Sequence, residues 1–114
     1  MILVNYCKFF EYFLVKLYRE KKLVNYFFDK LLDFLTTFFS RALQEIGGYI
    51  DIIELGDDMA NQRQLFFSPI VYRKMIKPRH KILFDTIKQF TNASLFLHCC
   101  GSVFEIIDDL IDGS

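Results

Sequence analysis

Two short clusters gather the side chains best suited to chemistry: Gly56-Asp57-Asp58 and His98-Cys99-Cys100-Gly101. On an extended strand, residues two apart point the same way, so His98 and Cys100 share a face and Cys99 points opposite. One imidazole nitrogen and one thiolate sulfur form a donor pair that zinc favours. A catalytic zinc takes three protein ligands and keeps one open position, so this pair is one donor short. Cys7, placed in a remote N-terminal helix, is a poor third ligand. By residue type alone the pair also reads as packing, since free cysteine behaves as a small buried hydrophobe. Asp57 and Asp58 have two readings as well. Adjacent acids in a loop form turns or carry solvated charge; at the carboxyl end of a strand they can bind substrate or move protons. Gln62 and Arg63 are candidate polar contacts in the same loop. Arg79, His80 and Lys81 fall on a helix and read as solvated surface, which removes His80 from the ligand candidates.

The elements that must position these clusters follow from periodicity. Residues 9 to 20 mix aromatic and leucine side chains with charges and predict a short helix. Residues 23 to 46 predict a longer one: Val24, Phe28, Leu31, Leu35, Phe38, Ala42 and Ile46 step by threes and fours. Phe27, Leu32, Phe39 and Leu43 widen that face. Gly47-Gly48 ends the helix, with a glycine suited to a left-handed cap. Tyr49 to Leu55 is short and β-branched and predicts a strand, with Asp51 at the sheet margin or facing polar neighbours. A long loop, 56 to 67, comes next. Ser68-Pro69 has the form of an N-cap followed by proline at the first helical position. That helix runs to about Ile76, and Pro78 restarts or kinks it. The second piece carries Leu83, Ile87 and Phe90 on one face. Ser94 to His98 predicts a second strand, Cys99 to Ser102 a tight turn, and Val103 to Ile111 a helix capped by Gly113.

Strands alternating with helices predict parallel βαβ units and an α/β fold. Parallel sheets are buried on both faces and bind ligands at the carboxyl ends of their strands, where both clusters fall. Two strands are too few for a complete α/β domain. The chain divides into a helical lead-in, 1–48, and a βαβα segment, 49–112, and reads as a slice of a larger fold.

Composition narrows the function classes. The 114 residues carry 14 basic and 14 acidic side chains, so nothing here attracts nucleic acid by bulk charge. A 53% hydrophobic content excludes a disordered chain. Three cysteines, two of them adjacent, exclude a disulfide scaffold. The longest stretch without a charged residue, Thr91 to Phe104, contains Asn92, His98, Gly101 and Ser102, so no membrane span is expected. Met1 to Cys7 lacks a basic lead, so no secretory signal is expected and a cytoplasmic setting with reduced cysteines follows. The mean hydropathy of +0.22 is high for so short a chain, and implies that apolar surface is buried against something further.

The block GDDMANQRQLFFSPIVYRKMIKP, then a helix, then LFLHCCGSVFEIIDDLID, resembles the uroporphyrinogen decarboxylase family, and within it the branch similar to coenzyme M methyltransferases. The residues that carry the resemblance are Gly56, Asp57, Asp58, Gln62, Ser68, Pro69, Lys77, Pro78, His98, Cys100, Gly101 and Ser102. It is strong over about residues 49 to 112 and looser over 9 to 48. It implies part of a (β/α)8 TIM barrel contributing two parallel strands with flanking helices. In that branch it implies that His98 and Cys100 bind zinc, with a third cysteine ligand outside this chain. The zinc binds a small acceptor thiol, which takes a methyl group from a methyl-corrinoid protein. Asp58 and Asp57 are then active-site candidates and Gln62 a substrate contact. The other branch, the porphyrinogen decarboxylases of heme biosynthesis, works without metal through an N-terminal aspartate and arginines; the His-Cys-Cys-Gly turn departs from its pattern. A third expectation is an inactive truncated product, or half of a split protein that pairs with the rest of the barrel.

Overall fold

The computed structural model describes residues 10–113; Cys7 and the apolar Met1–Cys7 segment lie outside them. The element order is α1 (Phe10–Arg19), α2 (Lys21–Ile46), a 3-10 turn (Gly47–Tyr49), β1 (Ile52–Gly56), α3 (Pro69–Val71), a π-helical turn (Tyr72–Ile76), α4 (Lys77–Phe90), β2 (Ser94–His98), a second 3-10 turn (Phe104–Ile106) and α5 (Ile107–Gly113). β1 and β2 pair in parallel, with Ile52 opposite Ser94 and Gly56 opposite His98.

This corrects the expected fold class. Helix dominates, the sheet has two strands, and no barrel forms among the described residues. A two-stranded ribbon keeps two edges and cannot close, because closure links strand number, tilt and stagger around a full ring. The sheet is also not buried on both faces. Ile53, Leu55, Leu95 and Leu97 pack with Leu43 of α2 and with Leu83, Phe84 and Ile87 of α4, whereas Ile52, Glu54, Phe96 and His98 lie on the exposed side. α2 and α4 both cover the same face, so among the described residues no helix buries the other.

The apolar face of α2 sits slightly rotated from the predicted one. Val24, Phe28 and Leu43 are buried and Leu32, Leu35 and Phe39 half-buried, but Phe27, Phe38 and Ile46 are exposed. The seam that meets the sheet and α4 runs 28-32-35-39-43, and neighbours one residue off it point about 100° away. Gly47 is not a left-handed cap: its φ is −58°, and the helix tightens into a 3-10 turn. Its value is space, because a Cβ there would lie 2.5 Å from the carbonyl oxygen of Phe90. Gly113 closes α5 without a positive φ, which among the described residues Gly101 alone adopts.

Local signals around the second helical region are realised. The Ser68 side chain accepts a hydrogen bond from the Val71 N–H at 3.3 Å, with Pro69 at the first turn. Pro78 does not break the helix. The π turn ends with the Lys77 N–H on the Tyr72 carbonyl, and α4 starts there, so Pro78 falls in a first turn where its missing N–H goes unneeded.

Two polar clamps tie the helices together. Arg79 of α4 reaches Asp29 of α2, with Nη2 2.6 Å from Oδ1, and lies over the Phe28 ring. Lys77 and Arg73 both bond Asp109 of α5, at 2.8 and 2.9 Å. The bond from Lys77, joined by that from Arg73, holds the Asp109 carboxyl below the usual range. A carboxyl lowered in the folded state adds stability above the unfolded value of about 4, and that stability is lost as pH falls through the folded value. Asp109→Asn is therefore expected to melt below the parent chain at pH 7, with the gap closing under acid. Thermal melts from pH 7 to 2 measure this, and a gap independent of pH would show that the ion pairs contribute nothing.

Candidate functional site

The parallel register places the two chemical clusters side by side. β1 ends at Gly56 opposite His98, the last residue of β2, so Asp57-Asp58 and Cys99-Cys100 leave the sheet together. Four hydrogen bonds then lace the two segments. The Asp57 N–H donates to the His98 carbonyl at 3.0 Å, the Cys100 N–H to Asp58 Oδ1 at 3.0 Å, and the Ser102 N–H to the Asn61 carbonyl at 2.8 Å. The Met59 N–H meets Cys99 Sγ at 3.4 Å.

Strand alternation continues past the end of β2. His98 and Cys100 are both exposed and on one side, with Nε2 and Sγ 3.0 Å apart, while Cys99 turns inward against the core around Met59 and Leu65. Burial pushes the Cys99 thiol up and outweighs the opposite pull of the Met59 N–H, with smaller upward pushes from the nearby Asp57 and Asp58 charges. Cys99 is thus a packing residue.

Asp58 completes a three-donor cluster. A carboxylate oxygen of Asp58, a ring nitrogen of His98 and the sulfur of Cys100 all lie within 4.8 Å of one another. Donors of these kinds around a tetrahedral zinc stand about 3.3–3.8 Å apart, given metal–ligand bonds of about 2.0–2.3 Å. The cluster fits such an ion after small side-chain movements. Asp58 is half-buried and the other two donors are exposed. The structure thereby offers a third donor inside the chain, where a cysteine from outside it was expected.

The remaining candidates fall elsewhere. Gln62 and Arg63 lie exposed in the loop, which is braced by the Asn61 side chain accepting the Arg63 and Gln64 N–H groups. Asp57 points away from the three donors, its carboxylate bonded to His80 Nε2 at 3.0 Å. His80 is therefore not surface. It is 9% exposed, stacks on Phe84, and meets the Tyr72 hydroxyl through Nδ1 at 3.2 Å. Arg79 is likewise mostly covered, and of the three only Lys81 is openly solvated. The missed signal was spacing: 80, 83, 84 and 87 form one helix face, and the last three are apolar.

Burial alone would raise the Asp57 carboxyl; the bond and charge of His80 are among the effects pulling it down, and the balance lies below the usual range. An ionised carboxylate only accepts, so Nε2 of His80 carries a proton toward Asp57, and Nδ1 faces the Tyr72 hydroxyl. Burial, with the Asp109 and Asp57 charges, drives that phenol far above its ordinary value, which keeps it a donor. A cavity of about 420 Å³ adjoins this chain of groups, walled mainly by apolar side chains of α2 and α4.

No family model matches the chain, and neither a curated protein nor a solved structure matches it.

Gly101 makes the interlock possible. Its φ is +120°, and a Cβ there would lie 2.5 Å from the Ala60 carbonyl oxygen and 2.6 Å from that of Asn61. Gly101→Ala must force the two loops apart and is expected to cost about 1–3 kcal/mol, as overpacking against backbone does. Urea unfolding measures it, and an unchanged midpoint would contradict the close approach.

Proposed function

We propose that this chain is a zinc-binding protein of the uroporphyrinogen decarboxylase family, of the methyltransferase-like type, which activates a small thiol to receive a methyl group from a corrinoid-carrying partner protein. The observation that carries this reading is the convergence of Asp58, His98 and Cys100 at the shared end of two parallel strands. Bound there, zinc would supply a Lewis acid that keeps an incoming thiol deprotonated at neutral pH, and the thiolate is the nucleophilic form.

The chain's own groups have separable tasks. His98 and Cys100 present nitrogen and sulfur donors from one strand end, and their 3.0 Å contact keeps them gathered before any ion arrives. Asp58 would supply the oxygen donor and is held to the His98–Cys100 segment by the Cys100 backbone N–H. One thiolate, one carboxylate and one imidazole would leave a bound ion less electron-rich than an all-thiolate site would, which would favour binding a further thiol. The exposure of His98 and Cys100 suits a donor carried on a bulky cofactor, since a methyl-corrinoid must come close from outside.

The test uses the full chain loaded with zinc, methylcobalamin as methyl donor and mercaptoethanol as acceptor. The thiolate attacks the methyl carbon, the carbon–cobalt bond breaks with its electron pair left on cobalt, and a methyl thioether forms. Zinc-dependent loss of the methylcobalamin spectrum is expected, with a fall of at least about tenfold in His98→Ala and Cys100→Ala, as for loss of a metal ligand. No zinc-dependent turnover, or conversion of uroporphyrinogen insensitive to chelator, would contradict the reading; the second result would favour the decarboxylase branch.

A further inference from the structure

We propose that His80 is a positioning residue for the donor cluster: by holding the Asp57 carboxylate it sets the direction in which Asp58 and the strand end bearing His98 are presented. The inference rests on the metal-binding reading of Asp58, His98 and Cys100.

Asp57 is joined to the cluster in two ways besides its side chain. It is covalently next to Asp58, and its N–H holds the carbonyl of His98 at 3.0 Å. The conformation of this one residue therefore sets the relation between a donor on one loop and a donor on the neighbouring strand. Its side chain is fixed from the core by His80 Nε2 at 3.0 Å. The His80 ring is itself fixed twice, by the Tyr72 hydroxyl at 3.2 Å and by stacking on Phe84 with an interplanar angle of 19°. Tyr72 is 1% exposed, so the series Tyr72–His80–Asp57 runs from the rigid interior to the sheet end. Hydrogen-bonded partners behind metal ligands carry a large share of a site's affinity because they keep the donors aimed. Here the aim is transmitted through backbone, since His80 touches none of the donors.

The test is a cobalt(II) titration of the full chain, read from the thiolate-to-cobalt charge-transfer band. His80→Asn keeps an amide near Nδ1, facing Tyr72, but is too short for Asp57. His80→Gln can reach Asp57. His80→Asn is expected to bind cobalt about 10–100-fold more weakly, with the band retained because Cys100 still ligates, and His80→Gln to recover most of the loss. Gly47→Ala, which crowds the Phe90 carbonyl at the opposite end of the sheet, lowers stability away from Asp57 and is expected to leave affinity unchanged. Equal affinity in His80→Asn and parent, no recovery in His80→Gln, or an equal loss in Gly47→Ala overturns the positioning role. If the parent chain shows no charge-transfer band, the metal-binding reading itself fails and this role goes with it.

Discussion

The pairing of two five-residue strands in parallel is the constraint on which the rest depends. It sets Gly56 beside His98 and so sends an acidic loop and a His-Cys turn out of the sheet at the same end. A slip of one residue would turn each strand's side chains to the opposite face, moving Leu95 and Leu97 out of the core and His98 into it. The register is held by the apolar layer on one face only. Ile53, Leu55, Leu95 and Leu97 against α2 and α4 decide where His98 points, although none of them comes from the donor cluster.

Beyond the strand ends the backbone hydrogen bonds of the sheet give way to a mixed ladder. Backbone donors from each segment find a carbonyl, a carboxylate or a sulfur on the other. Gly101 lets the chains approach closely enough for this, through a φ that other residues rarely adopt. Behind the ladder stands the polar series Tyr72–His80–Asp57. Such a series is costly to bury unless every member finds a partner, and it gives a single arrangement when they do. Function on this view is a consequence of rigidity: three donors of different chemistry are gathered before an ion is present.

How much of this was legible in the sequence depended on range. The Ser68-Pro69 helix start, the span of β2 and the parallel order were legible because each follows from neighbouring residues or strand alternation. The shared side of His98 and Cys100 followed from the same alternation. What escaped were facts set by contacts far apart in the chain. His80 looked solvated between Arg79 and Lys81, and only its place on the face of Leu83, Phe84 and Ile87 marks it as interior. Asp58 was read as a turn former or an active-site candidate without a set role, since nothing local shows that its carboxylate crosses to the Cys100 backbone 42 residues away. The barrel was carried over from a resemblance, and two strands with one helical layer do not form one. A glycine of the Gly47-Gly48 pair was expected to supply a left-handed cap, yet neither has a positive φ, and the demand on Gly47 is room for the Phe90 carbonyl.

The central claim is that one oxygen, one nitrogen and one sulfur from Asp58, His98 and Cys100 bind a single ion. Zinc K-edge X-ray absorption on the full chain, loaded with one equivalent of zinc, tests it most directly. The expected spectrum has one sulfur at about 2.3 Å and nitrogen or oxygen donors at about 2.0–2.2 Å, with the sulfur shell gone in Cys100→Ser. A shell of oxygen or nitrogen alone in the parent chain, or a sulfur that survives Cys100→Ser, would contradict it.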